Sequence, residues 1–386
     1  MSVRLITGIE YVAAVLHARR SRMAEGDRLG ALCAGRTVAE LARALYGNAA
    51  IASAVELQKR MVLDRANEIL ELALRLDGPG GELIAWMAVR FQVENLKVLA
   101  RGLSAHTPAS EVEAHLVPLP GDLAVDARSV FIQAPRMQEI RDATLFSITR
   151  LSVMENRVAS LISAADSNMA EALAGGAVEA FVEVVGRPPL REAVLAALPL
   201  YRAHPRAFFL EAALDAGYFT ELVARAGAVT GDERGHVLAL VEQEINIFHL
   251  ALIIRGKFHY GLPPEQLMPF CVAGAGARKA DIGAMWSAPT LAEAAEWAAG
   301  FAPGDVPQVF DGSAIERMAW ARYHRLAATT FRRSVMGLGL VAAYVALRRV
   351  ELANLIAVSE GIRAGLSADD IRRCLIPCRE GEARRV

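Results

Sequence analysis

The sequence predicts an all-α protein made of three copies of one helical unit. A skeleton of Asn-Leu or Asn-Ile followed by Leu-x-Pro occurs three times, each time with its Asn and Pro twenty-three positions apart, although the chain contains only seven Asn. Apolar residues recur at helical i, i+3 and i+4 steps in segments rich in Ala and Leu. Strand signals are limited to short runs such as residues 182–185. Repetition at a fixed spacing is typical of repeat proteins.

The skeleton gives six positions at which the copies correspond. In the third copy, Asn354 shares a mostly apolar helical stripe with Leu347 and Val358, so its amide faces the packed side of a helix. A buried amide needs hydrogen-bond partners, and the turn that follows the helix offers free backbone groups. We therefore expect each Asn to pin the loop that leads to the Leu-x-Pro segment, with direct contact to a partner as the alternative. The six positions are Asn95, Pro118, Asn246, Pro269, Asn354 and Pro377.

Taken in order, the chain starts with a predicted helix over residues 11–23 that ends in a basic cluster, Arg19, Arg20 and Arg22. A capping box at Thr37 and Glu40 opens a short helix, and the patterns at Thr290 and Ser367 predict two further helix starts. Long helices are predicted over residues 49–76, 82–101 and 137–165. The skeleton spacing then divides the chain into repeats 1–120, 121–272 and 273–386, the second with an insertion near residues 186–206.

Composition excludes several classes of function. The formal net charge is -1, which does not favour a nucleic-acid surface. Four scattered Cys do not make a disulfide framework and favour a reducing compartment. The longest apolar run, residues 335–347, is too short to cross a bilayer, which needs about 20 residues. We expect no signal peptide and no membrane span, so that any membrane attachment is made through a partner.

We find no set of residues in the sequence that predicts a catalytic, cofactor-binding or metal-binding site. Glu211 and Asp215 stand four apart on one helical face, a spacing that suits metal ligands or acid–base partners. Because no matching second pair appears, we favour a solvated or helix-terminal pair. Glu233 and His236 form a single Glu-x-x-His, whereas a di-metal helix bundle needs two such motifs and two more Glu helices. Cys374 and Cys378 lack the second Cys or His pair of a zinc site.

Three stretches of the chain resemble one family. The third unit, from Ile315-Glu316 through Tyr344, Glu351-Leu352-Ala353-Asn354-Leu355 and Gly365-Leu366 to Leu375-Ile376, resembles the last repeat of the C-type subunit of archaeal and bacterial A/V-type rotary ATPases, the counterpart of the eukaryotic d-type subunit. Residues 91–98, Phe-Gln-Val-Glu-Asn-Leu-Lys-Val, resemble its first repeat, and residues 211–219 resemble its middle portion. Trp320 and Gln92 stand where that family often has Asp.

This resemblance implies a funnel of three pseudo-symmetric helical repeats without an active site of its own. It implies a socket in the central stalk, with shaft subunits of the D and F type and the membrane proteolipid ring as partners, on the cytoplasmic face of the membrane. Such a subunit couples shaft rotation to proton or sodium transport. We hypothesise that basic side chains contact acidic groups on a partner. The candidates are Arg19, Arg20, Arg22, Arg255 and Lys257.

Two other functions fit parts of the pattern. A stand-alone α-helical repeat adaptor would be a soluble monomer that does not associate with membranes. A helical metal-dependent enzyme would need a cavity lined by Glu211, Asp215 and further carboxylates.

Overall fold

The computed structural model describes residues 8–47, 51, 53–105, 107–131, 177–231, 233–274, 279–299 and 312–378. These residues form helices joined by turns, and no β-strand occurs among them, so the all-α prediction is confirmed. The strand candidate at residues 182–185 lies inside helical residues 177–185. Its buried side chains, Val178, Phe181, Val182 and Val185, follow the helical period and not the alternation of a strand. The predicted helix over residues 137–165 lies outside the described residues.

Besides the helical residues 177–185, the described part of the chain contains sixteen α-helices. The first seven are α1 (Gly8–Arg20), α2 (Gly26–Leu32), α3 (Val38–Tyr46), α4 (Ala54–Ala73), α5 (Gly78–Ser104), α6 (Ala109–His115) and α7 (Ala127–Phe131). The next five are α8 (Pro188–Ala203), α9 (Ala207–Ala228), α10 (Arg234–Ile253), α11 (Pro264–Leu267) and α12 (Lys279–Ser287). The last four are α13 (Leu291–Ala299), α14 (Gly312–Arg333), α15 (Leu338–Arg363) and α16 (Ala368–Cys374).

Side-chain caps start several of these helices where the sequence predicts them. The hydroxyls of Thr37, Thr290 and Ser367 each accept a hydrogen bond, at 3.2 Å, from the backbone N–H three residues further on. Such bonds satisfy backbone donors that have no partner inside the helix. Near the start of α14, the Ser313 hydroxyl accepts a hydrogen bond from Arg317 at 3.1 Å.

Compactness divides the chain into two units, residues 1–91 with 218–386 and residues 92–217. We call them the large unit and the small unit. The boundary falls inside α5 and inside α9, so each of these helices contributes residues to both units. This division reflects which residues pack together. It does not test the predicted repeats 1–120, 121–272 and 273–386, which stay a prediction.

The core of the large unit is organised around α15. Every side chain from Leu340 to Leu347 is buried, so this stretch is covered on all sides and not on one face alone. Helices α14, α4 and α10 pack against it. Three fully buried Tyr, at positions 218, 323 and 344, bring hydroxyls into this core.

Residues Arg234–His259 form the one described helical segment that is long and apolar enough to cross a membrane. It comprises α10 and a π-helical turn, Ile254–His259. Of its most apolar window, 67% is buried within the protein, and α10 packs against α13, α14 and α15. This is the environment of a core helix in a globular unit.

The small unit is held by polar contacts as well as by its core. Arg187 donates to the side chain of Gln92 at 2.7 Å and to the backbone carbonyl of Asp122 at 3.1 Å. The hydroxyls of Ser104 and Tyr201 lie 3.2 Å apart. Gly217 lets α9 approach α8 closely, since a Cβ there would lie 2.6 Å from the Pro189 carbonyl oxygen. Most of residues 186–206 form α8, and their assignment as an insertion stays a prediction.

Candidate functional site

In the small unit, a buried amide joins α5 to the chain that follows α6. The side-chain nitrogen of Asn95 donates to the carbonyl of Val117 at 2.8 Å, and its side-chain oxygen accepts from the Val117 N–H at 3.0 Å. Asn95 is 3% exposed. Both polar ends of one amide are therefore satisfied by a single backbone residue, which stands immediately before Pro118.

The same arrangement occurs near the end of the chain, within the large unit. Asn354 donates to the carbonyl of Ile376 at 3.1 Å and accepts from its N–H at 2.8 Å. Ile376 stands immediately before Pro377. Asn354 also donates to the sulfur of Cys378 at 3.4 Å. Cys378 is therefore part of the loop that Asn354 holds. Cys374, four residues earlier in the chain, is exposed.

In the second copy a histidine holds the loop. The Nε2 atom of His249 accepts from the Val272 N–H at 3.1 Å, and His249 is 2% exposed. Asn246, the residue that the skeleton predicts for this role, is only half-buried and makes no hydrogen bond to any described side chain or loop. The sequence-based register and the hydrogen bonds therefore differ by three residues in this copy.

The turns that follow the helices of Asn95, His249 and Asn354 show which residues are equivalent in the three copies. Each helix closes with a bond from a residue in the turn to a glycine carbonyl, and all three bonds are 2.9 Å long. The acceptor glycine stands seven residues after Asn95, His249 or Asn354, and the held loop residue stands ten residues after the donor. The donor and acceptor pairs are Thr107 and Gly102, Leu262 and Gly256, and Leu366 and Gly361.

Two compensating changes hide this shift in the sequence. The helix of the second copy continues through the π-helical turn to His259, whereas the short helix that follows it, α11, has 4 residues where α6 and α16 have 7. The Asn-to-Pro spacing is therefore kept, but Pro269 lies in a 3-10 turn, Met268–Phe270, and not after the held residue. Ala273 occupies the place of Pro118 and Pro377.

His249 acts as an acceptor, so it must be neutral at Nε2. Burial lowers the pKa of His249 to about 4, since the charged imidazolium would lose its hydration. Protonation would also turn the acceptor into a donor that faces the Val272 N–H. This loop is therefore held only by the neutral side chain, unlike the two loops held by amides.

Glu211 and Asp215, the candidate acidic pair, face two basic side chains of the small unit. Glu211 lies 2.7 Å from Arg101, and Asp215 lies 2.7 Å from Lys97. The two bases stand four apart on α5, as the two acids do on α9, so helical spacing pairs them in order. Across the described residues, no group of three His, Cys, Asp or Glu side chains has the arrangement of a metal site.

The predicted partner contacts Arg19 and Arg20 both have partners within the large unit. Arg19 lies 3.2 Å from Glu68 and 3.6 Å from Glu71, and Arg20 lies 2.6 Å from Glu25. Arg22 differs, because its side chain is exposed and makes no ion pair with a described residue.

The other predicted basic contacts are also engaged. Lys257 donates to the carbonyls of Trp286 and Ala288, at 2.6 and 2.5 Å, and so caps the carboxyl end of α12. Burial lowers the pKa of this amine. Arg255 lies near Glu316 and lowers the pKa of that carboxyl, although burial raises it by more.

Comparison with protein families finds a match over most of the chain. The model of the ATP synthase (C/AC39) subunit family matches residues 12–158 and 148–374. The two segments together span most of the chain. The chain belongs to this family. A search of curated proteins finds none that matches it.

Membership of the ATP synthase (C/AC39) subunit family confirms the resemblance drawn from the sequence. It makes the chain a subunit of a rotary ATPase, and so of a complex that is associated with a membrane. Partners within such a complex are implied by this membership.

Two largely covered ion-pair clusters in this family member were not predicted from the sequence. Arg349 pairs with Glu244, which also accepts from the Tyr323 hydroxyl at 3.2 Å. Burial by itself would lower the pKa of Arg349, but the combined attraction of Glu244, Tyr218 and Tyr323 outweighs burial and raises this pKa. Its neighbour Arg348 pairs instead with Glu68 at 2.9 Å.

The Glu68 cluster extends to a neighbouring carboxylate. Glu68 also accepts from the Tyr344 hydroxyl at 2.6 Å. Arg348 pairs with Glu351, which accepts from the Ala24 N–H at 2.6 Å. An acidic residue inside an otherwise apolar helix, such as Glu244 in α10, was the available sequence signal for clusters of this kind.

Proposed function

We propose that this chain is the non-catalytic socket subunit in the central stalk of a rotary V/A-type ATPase, which couples the rotating shaft to the membrane proteolipid ring for proton or sodium transport. Its proposed partners are shaft subunits of the D and F type and the ring itself, and its place is the cytoplasmic face of the membrane. One observation carries this proposal, the family match that spans residues 12–374.

The internal contacts support a mechanical role. A part that transmits torque must resist shear between its helices, and close packing supplies that resistance. In the large unit, the pair of Arg349 and Glu244 links α15 to α10, and the pair of Arg348 and Glu68 links α15 to α4. Breaking the pair of Arg349 and Glu244 would leave the buried Glu244 carboxylate without this cation, which is costly. These links therefore oppose sliding of the helices along one another.

We further propose that the three held loops mark three repeats of one helix–turn–helix unit. Support comes from the shared order of the pinning side chain, the turn glycine and the held residue around Asn95, His249 and Asn354. Tying each loop to its own helix fixes the short helix that precedes it. Rigid units of this kind suit a socket.

Among the basic side chains predicted to touch a partner, Arg22 is the one that we propose as a contact. Arg19, Arg20 and Lys257 already have partners, so reversing their charge would perturb the fold first. We expect Arg22→Glu to weaken reconstitution with its partners while leaving thermal unfolding unchanged. Arg19→Glu, in contrast, should lower the unfolding temperature.

The proposed function is tested by pulling down the tagged protein from its native membranes in a mild detergent and identifying the co-purifying subunits by mass spectrometry. Recovery of shaft subunits together with a small membrane proteolipid is the expected result. Recovery of the protein alone, as a soluble monomer, would overturn the socket proposal and favour the repeat adaptor.

A further inference from the structure

The helical hairpin of α14 and α15 has a charge distribution that the proposed function does not use. From position 317 to position 350 the sequence contains seven Arg, no Lys and no Asp or Glu. The side chains of Arg348 and Arg349 are 12% and 11% exposed, and both form ion pairs. The other end of the same apolar run carries a second adjacent pair, Arg332 and Arg333.

Three arginines of α14 are exposed. Arg325, Arg332 and Arg333 make no ion pair with any residue that the structure describes, and Arg332 has a single bond, to the Thr329 hydroxyl at 3.4 Å. Arg325 and Arg332 stand seven apart, so they lie on one face of the helix. Three cations on one segment that form no ion pair with a described residue attract a partner that carries negative charge.

The loop between the two helices adds an exposed apolar pair to this surface. Val335 is 66% exposed and Met336 is 55% exposed. The base of the loop is fixed, because buried Ser334 donates to Glu233 at 2.8 Å. Gly337 has a φ of 143°, and a Cβ there would lie 2.9 Å from the Glu233 side chain. The loop therefore presents two apolar side chains from a fixed base.

We propose that Arg325, Arg332, Arg333, Val335 and Met336, which we call the hairpin surface, dock onto an acidic surface of another protein subunit with a small apolar centre. This inference rests on the proposed place of the chain in a rotary complex. The arginine forks match carboxylates in bidentate pairs. Met and Arg are enriched in protein interfaces, and Lys is depleted.

The composition of the hairpin surface favours a protein over an anionic membrane. Loops and helices that lie in the membrane interface carry Trp or Phe on the apolar side and are rich in Lys as well as Arg. The hairpin surface has neither an aromatic residue nor a Lys. Two apolar side chains also provide little area for stable insertion into lipid, whereas they can fill one pocket on a protein.

The first experiment uses a photo-crosslinking amino acid, p-benzoylphenylalanine, in place of Met336 in the complex purified from native membranes. The expected result is a crosslink to a peptide of another subunit with at least two Asp or Glu next to the site. Any of four results would overturn the inference: a lipid adduct, a crosslink to a second copy of this chain, a crosslink to a peptide without acidic residues, or no crosslink.

Charge reversal provides a second test with a matched control. Arg332→Glu/Arg333→Glu should reduce rebinding of the purified protein to membranes stripped of the native subunit by about tenfold at low salt, because rim charges govern association. The control is Arg372→Glu/Arg373→Glu, a second exposed adjacent pair at a helix end. Its ion pairs, at 2.6 and 2.8 Å, are exposed contacts to Asp residues of the same short helix, so reversing these charges breaks no ion pair between helices. The control should rebind as the wild type does.

The outcomes separate this inference from the proposed function. If the wild-type protein itself neither rebinds nor co-purifies with other subunits, the proposed function fails. If the wild type rebinds and both double variants rebind equally well, the hairpin surface is not the interface and this inference alone is wrong. Circular dichroism of each variant checks that its helices are intact.

Discussion

Replacing His249 with Asn is expected to remove a loss of stability that the wild-type protein suffers in mild acid. The unfolded histidine has a pKa of 6.5, and burial lowers the folded value to about 4. Between these values the unfolded state binds more protons, so stability falls as the pH falls from 6.5 towards 4. Going from pH 7.5 to pH 5 should cost the wild type about 2 kcal/mol more than His249→Asn.

Asn suits this test because Asn95 and Asn354 hold the corresponding loops with uncharged amides. The free energy of unfolding would be measured by urea titration at both pH values, with tryptophan fluorescence as the signal. All four Trp lie in the large unit, which also contains His249. The large unit is therefore the part of the chain that this signal follows.

The control for this experiment is His259→Asn, which changes an exposed histidine on the neighbouring π-helical turn. It should lose the same stability as the wild type between the two pH values. The quantity compared is the pH-dependent change in each protein, so other titrating groups cancel. Equal losses in the wild type and in His249→Asn would refute the reasoning that His249 must stay neutral to hold its loop.

Three further predictions concern single contacts. Asn354→Ala should lower the free energy of unfolding by about 2–4 kcal/mol, because it leaves the backbone N–H and carbonyl of Ile376 without these partners. Urea titration would measure this change, and a loss below about 1 kcal/mol would contradict the prediction. Arg349→Met should destabilise the protein by about 3–5 kcal/mol, whereas adding Glu244→Leu should recover most of that loss. A double-mutant cycle measures the coupling energy between the two residues, and additive losses would show that they are not coupled. Gly361→Ala should cost about 1–3 kcal/mol, since its Cβ would lie 2.5 Å from a side-chain carbon of Ile371; thermal melts of this variant, of Ile371→Ala and of the double variant should show a combined cost below the sum of the single costs.

Local features were predictable from the sequence because their physics is local. The caps at Thr37, Thr290 and Ser367 join residues three apart, so a short motif contains all the information they need. The sequence also predicted that Asn95 and Asn354 would hold the loops after their helices. The bonds to Val117 and Ile376 are the contacts which that interpretation requires.

The second copy shows where spacing misleads. Asn246 and Pro269 keep the spacing of the other copies, yet the loop is held by His249, three residues later. In this copy the helix that carries Asn246 is longer and the short helix α11 that follows is shorter, so the number of residues between Asn246 and Pro269 is unchanged. The π-helical turn that lengthens the first helix is visible only in the backbone hydrogen bonds. A side chain of a different type makes the bond, so a search for repeated Asn could not find it.

The acidic pair Glu211 and Asp215 illustrates a related limit. Its spacing on α9 fits metal ligation and ion pairing equally well. The choice is made by Lys97 and Arg101, which come more than a hundred residues earlier in the chain. Only the packing of α5 against α9 within the small unit brings these four charges together.

What the sequence by itself determined is the helical class, the positions of many helix ends and the family, because these follow from residue periodicity, capping chemistry and motifs read along the chain. What only the tertiary structure decided is which faces of those helices are covered. Arg332-Arg333 and Arg348-Arg349 flank the same apolar run and are indistinguishable in the sequence. The second pair is largely covered because Glu68 and Glu244, on helices far away in the chain, pack against it, whereas the first pair remains exposed to solvent.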